Sequence, residues 1–235
     1  MAALDRAGSV WRTCIPVLKT FAAGLILAVL AVLPARAESA PSLFGTTEIR
    51  SDNIRPFPKW TDMLARHHAE EKRGDPACTP TRFVRCGVAD WLAFLETERK
   101  KDRKTQIVEV NGFLNQHPYV LDKLNYWETP REFAALDGDC KDYAIAKYFS
   151  LRYLGWSESE LRVVVVQDLN LKVAHAVLAV YTEGTILILD NQTRQVVRAE
   201  TIHHYLPYYS INESFWWLHK SDPLHRPALP PTAAP

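Results

Sequence analysis

The stretch ALDGDCKDYAIAKYF, from Ala135 to Phe149, sets one cysteine among acids and directly ahead of an apolar run with helical period. Asp139 is a good N-cap, which places Cys140 in the first turn of a helix. Unpaired backbone N–H groups and the positive end of the helix dipole favour a thiolate there, and the same N–H groups can bind an oxyanion. Asp137, Asp139 and Asp142 act against a thiolate, so the cysteine needs a cationic partner, usually histidine. The alternative is a buried, inert cysteine. Of the eight histidines, only His175 falls inside a strongly apolar strand pattern, VAHAVLAV. If Glu183 and Gly184 form a two-residue hairpin turn, Thr182 pairs with Thr185 and His175 falls opposite Gln192. Asp190 is then one pleat period away, on the same face, at a diagonal distance of about 7 Å. Cys140, His175 and Asp190 would form a nucleophile, a base and an orienting acid. A one-residue slip in register would move Asp190 to the other face and leave Asn191 as the fallback orienter.

These three residues need a helix and a sheet to hold them. FPKWTDMLARHHAEEKR repeats Trp60, Met63 and Leu64 at helical spacing, and VADWLAFLETERKK reads as a helix from Val88 to about Lys101. TQIVEVNGFLNQ is a third, with Ile107, Val110, Phe113 and Leu114 on one face. Thr129-Pro130 before Glu132 marks a short helix start, DGD at 137–139 a turn, and Gly155 the end of the helix that Cys140 begins. LRVVVVQ, KVAHAVLAVY and TILILD then read as three strands. The aromatic segment HHYLPYYSINESFWWLHK packs back onto them, with Trp216 and Trp217 read as core, and ERKKDRK reads as a solvated turn. Helices followed by strands give an α+β domain.

The chain has 235 residues and a formal net charge of +1. Arg6, Arg12 and Lys19 precede the uncharged apolar run Phe21 to Pro34, and Ala35 and Ala37 stand at −3 and −1 of a cleavage site before Glu38. That is the pattern of a secretory signal peptide over residues 1–37. An uncleaved anchor is the alternative, for which the run is short. Cleavage after Ala37 removes four bases and one acid, taking the net charge from +1 to −2, which excludes nucleic acid as the expected partner. Export to an oxidising compartment leaves Cys78, Cys86 and Cys140; the first two can close a small disulfide loop and Cys140 is left over. The spacing fits no common zinc pattern. The expected organisation is a signal peptide at 1–37, one domain at 38–220 opening with an extended leader to residue 55, and a Pro/Ala-rich disordered tail at 221–235.

GDCKDYAIAKYFSLRYLGW, LRVVVVQDLNLKVAHAVLAVY and ILDNQT, with VNGFLNQHPYVLDKLNYWETPREF upstream and YLPYYSINESFWWLH downstream, resemble the bacterial transglutaminase-like cysteine proteinases of the LapG type. The likeness covers most of residues 53–220. It implies a papain-like or transglutaminase-like α+β core, with Cys140 at a helix N-terminus packed on an antiparallel sheet that carries His175 and Asp190. It also implies a periplasmic endopeptidase that cleaves a large repeat-containing surface adhesin near its N-terminus, beside paired alanines, releasing it and dispersing biofilm. An inner-membrane cyclic-di-GMP receptor is the implied partner. Some family members bind calcium through acids on both sides of the cysteine. Asp139 matches the first, but Lys141 replaces the second, which weakens such a site strongly unless Asp137 or Asp142 compensates; the expectation is that no cofactor is required, with calcium the alternative that the resemblance leaves open, and Lys141 can instead favour the thiolate. Two other functions remain open: transglutaminase or amidase chemistry on the same three residues, and a non-catalytic binding module. The backbone N–H of Cys140 is the expected oxyanion donor; Asn125 and Trp127 lie in the segment from which a second would come.

Overall fold

A computed structural model describes residues 42–221 apart from 76, 83, 122 and 123. The expected signal peptide with its cleavage point, and residues 222–235 of the expected tail, lie outside the described residues.

Helix α1, Pro58–Arg73, starts on a proline whose missing N–H costs nothing in the first turn, and buries Trp60, Met63, Leu64 and His67 along one stripe. Helix α2, Gly87–Glu98, buries Trp91 and Leu95, and ends three residues before the expected boundary. Asp102 caps α3, Arg103–Leu114, accepting from the Thr105 N–H at 3.0 Å; Phe113 stacks on Phe94 at 4.0 Å between ring centres. The basic run before α3 is exposed, as expected. Helix α4, Pro130–Leu136, has a full capping box between Thr129 and Glu132. Helix α5, Cys140–Tyr153, ends at Gly155, whose φ of +92° suits a glycine cap; Trp156 N–H closes on the Leu151 carbonyl at 3.0 Å. Tyr148, Ile145 and Leu151 are wholly buried, each worth about 1.5–3 kcal/mol, so α5 is anchored along its length.

The sheet is antiparallel and has seven strands in the order β1-β7-β6-β2-β3-β4-β5. They are β1 Thr46–Ser51, β2 Leu161–Asp168, β3 Val173–Thr182, β4 Thr185–Leu189, β5 Val197–Arg198, β6 Tyr205–Ile211 and β7 Trp216–Ser221. β2, β3 and β4 are the three expected strands. Two readings are corrected. Residues 46–51 belong to the sheet rather than to a leader, because β1 pairs along its whole length with β7. The expected tail starts one residue inside the fold, since β7 runs to Ser221. The aromatic segment does return to the sheet, as β6 and β7, and Trp217 is buried.

Helix α5 lies on β3 and β2. Leu161, Val163, Ala176, Leu178 and Val180 join the helices in one core, while Val164, Val166, Val177, Ala179, Ile186 and Ile188 form a second on the opposite face. Both faces are covered, which is why LRVVVV and AVLAV are continuous apolar runs rather than alternating ones.

Candidate active site

The β3–β4 hairpin has the register that a two-residue turn dictates: Thr182 pairs with Thr185 and Leu178 with Leu189. Asp190 follows the last strand residue and shares a face with His175. The two meet: His175 Nε2 lies 2.9 Å from Asp190 Oδ1, and both side chains are buried. Asp190 is held in place further, because its Oδ1 accepts from the Gln192 N–H at 2.9 Å and its Oδ2 from the Tyr205 hydroxyl at 2.6 Å. Asn115, from the end of α3, donates to the Asp190 and Thr193 carbonyls at 2.8 and 2.9 Å and clamps the turn. Burial alone raises the Asp190 carboxyl, but the His175 bond and charge with the Gln192 and Tyr205 donors outweigh it and hold it below its ordinary range.

With Nε2 committed to Asp190, Nδ1 is the ring nitrogen left for Cys140. Burial lowers the basicity of His175, yet hydrogen bonding and charge from Asp190 and Cys140 together raise its pKa to about 9. A ring this basic is protonated at neutral pH. Cys140 is the one free cysteine among the described residues and is partly exposed; Cys78 and Cys86 form the expected disulfide.

Around Cys140 the acids are held by basic side chains, one of them shared. Asp137 accepts from Arg85 Nη2 at 2.7 Å and from His117 Nδ1 at 2.8 Å. Burial would raise its carboxyl, but Arg85 and His117 lower it. Lys141 Nζ lies between Asp139 Oδ1, at 2.8 Å, and Asp142 Oδ2, at 3.1 Å. Asp142 also accepts from the backbone N–H of Asp139 and of Glu128, both at 3.0 Å, tying the segment before α4 to the start of α5. Gly138 is needed here: a Cβ on it would fall 2.8 Å from Asp142 Cβ and Oδ2. The charge of the three acids is therefore offset locally.

Calcium does not fit this donor set. The Lys141 ammonium takes the place between Asp139 and Asp142 that a divalent ion would need, and Asp137 is committed to Arg85 and His117. Among the described residues, no group of three or more His, Cys, Asp and Glu side chains could hold a metal ion.

The Trp127 indole N–H does not offer the second oxyanion donor. Trp127 packs against Trp60, and its indole N–H donates to Asn125 Oδ1 at 3.2 Å. Asn191 is not the orienter, since Asp190 holds the ring. Tyr205 and Asn115 escaped the sequence reading. Asn115 had a weak signal, an amide at the end of an apolar helix face; Tyr205 was one aromatic among many.

A cysteine heading a helix, packed on an antiparallel sheet that carries a His–Asp pair, defines a transglutaminase-like core of the cysteine-protease class. The chain belongs to the bacterial transglutaminase-like cysteine proteinase family, BTLCP, whose pattern matches residues 84–223. Among solved structures it is similar to Legionella pneumophila LapG, at 36% identity and a TM-score of 0.53, over 57% of this chain and 78% of that one. It is also similar to the calcium-bound form of Legionella pneumophila LapG, at 30% identity and a TM-score of 0.55, over 67% of this chain and 86% of that one. No curated protein matches the chain.

Proposed function

We propose that the protein is a periplasmic cysteine endopeptidase in which Cys140, His175 and Asp190 carry the reaction. The observation that supports this most is the buried His175–Asp190 contact beside the thiol that heads α5, in a chain of a cysteine-proteinase family. Cys140 attacks a peptide carbonyl as the thiolate. The His175 imidazolium protonates the leaving amine, and the neutral ring then takes a proton from the water that hydrolyses the thioester. Asp190 keeps the ring oriented throughout. The Cys140 N–H donates to the oxyanion.

The substrate on this reading is a large repeat-containing surface adhesin, cut near its N-terminus so that it is released and biofilm disperses; the partner is an inner-membrane cyclic-di-GMP receptor. Tyr119, Val120 and Leu121, near Gly138, and Leu171 and Val173, ahead of His175, are exposed apolar residues, which supports a substrate with small apolar side chains. The disulfide and the signal-peptide pattern support the compartment. Activity needs no calcium, because Lys141 supplies the cation between Asp139 and Asp142.

The test is cleavage of an adhesin N-terminal fragment by the purified protein, with and without EGTA, followed by mass spectrometry. Two products whose masses sum to substrate plus one water, lost in Cys140→Ala and His175→Ala and indifferent to EGTA, are expected. Proteolysis surviving in Cys140→Ala would overturn the mechanism. Products joined to an amine would instead indicate acyl transfer, and no product with any peptide substrate would favour a binding module.

A further inference from the structure

Lys147 is the buried ionisable group that this chemistry leaves unused. It follows Cys140 by seven residues on α5, two helical turns along almost the same face. Its side chain is wholly buried, and its Nζ makes no hydrogen bond among the described residues. The ammonium stands 5.8 Å over the Tyr143 ring, one turn closer to Cys140. Helix α5 packs on β3, the first strand of the hairpin that Asp190 follows, and Asp190 opposes the effect of burial on the amine. The faces that α3 and α4 bury carry no ionisable side chain, and the buried acid at the end of β2, Asp168, acts on Tyr205. From β3 the ionisable group is His175.

We propose that Lys147 is a positioning residue for the reaction: a buried counter-charge behind Asp190 that acts through the His175–Asp190 pair on Cys140. The inference rests on the triad reading above. When the thiolate forms, Cys140, His175 and Asp190 together hold one net negative charge in a site where water is scarce. The hydrogen bonds that Asp190 accepts from Gln192 and Tyr205 bring no full charge. A protonated Lys147 brings the group to neutrality and makes the thiolate–imidazolium pair less costly to form. Burial pulls its pKa down to about 7 against the opposing pull of Asp190, so the counter-charge is present on the acid side of neutrality and fades above it.

Lys147→Met keeps the length and the apolar stem. It should fold with no loss of melting temperature, since it removes a buried amine that makes no hydrogen bond. The acid limb of kcat/KM against pH should move up by about half a unit, an activity loss of about threefold near pH 6, while the alkaline limb stays in place. A superimposable profile, or one scaled equally at every pH, would overturn the proposal. Should that variant fail to fold, the Lys147 13Cε resonance can be titrated in the full chain. Its pKa should fall in Asp190→Asn, and an unchanged value would sink the idea. Failure of the triad reading looks different: Cys140→Ala would stay active.

Discussion

The two halves of the site handle negative charge in opposite ways. At the start of α5, three carboxylates lie within six residues and are held by basic side chains: Arg85 and His117 on Asp137, and one Lys141 shared by Asp139 and Asp142. On the hairpin, one carboxylate is held by a backbone N–H, a phenol and a histidine. The first arrangement offsets its own field and works as scaffolding; the second leaves its field on the His175 imidazole and, away from the thiol, on Lys147. The difference teaches that proximity of acids to a cysteine says little until their partners are known.

The contrast breaks most completely at Asp190. Asp190→Asn keeps the shape but removes the charge, and should lower kcat about 10²–10⁴-fold in a steady-state assay while the circular dichroism spectrum stays native. The same variant exposes a stability difference. His175 has its folded pKa raised from 6.5 to about 9, so the stability it gains from Asp190 is complete below about 6.5 and is lost as pH rises through about 9. Lys147, with a folded pKa of about 7, gains stability over the same window and offsets this loss, so the urea midpoint should fall there in Lys147→Met, and adding Asp190→Asn should flatten that curve.

Breaking the scaffolding half should act on folding first. Lys141→Met leaves Asp139 and Asp142 as buried like charges and should cost about 3 kcal/mol in denaturant unfolding, with residual kcat close to normal in the fraction that folds. A stable Lys141→Met with abolished turnover would mean that Lys141 belongs with the chemistry. The smallest effect is expected at Tyr205→Phe, which removes one of the hydrogen bonds on Asp190: about 1–2 kcal/mol of stability and a several-fold loss of kcat/KM, with KM unchanged.

Helix α5 was legible because cap, period and stop agreed: Asp139, the apolar stripe and Gly155 each point to the same boundaries. The His175–Asp190 pairing was legible because a two-residue turn leaves one register, and register fixes which side chains share a face. β1 was not. TTEIRS has no apolar alternation to mark it, and its partner lies at the far end of the domain. β6 and β7 were hidden by their aromatic content, which signals burial without a period. Lys147 was hidden because its charge suggests a solvated position, and only the packing of α5 between helices and sheet removes it from water. The match of Lys141 to Asp139 and Asp142 also needed coordinates, since adjacent residues on a helix face different directions unless a cap bends them together.

The pairing of β1 with β7 has a consequence for the order of events in assembly. Thr46 lies opposite Ser221, and His219 bridges the Thr46 hydroxyl and Ser210 at 2.9 Å on each side. One border of the sheet therefore joins the first and last strands among the described residues, a contact of long sequence separation. Contacts of such long range are slow to form. A chain emerging N-terminus first carries β1 without its partner until Trp216–Ser221 has followed, so completion of this border of the sheet waits for that segment. A chain shortened before Trp216 should show fast amide exchange across Thr46–Ser51, where the full chain is protected.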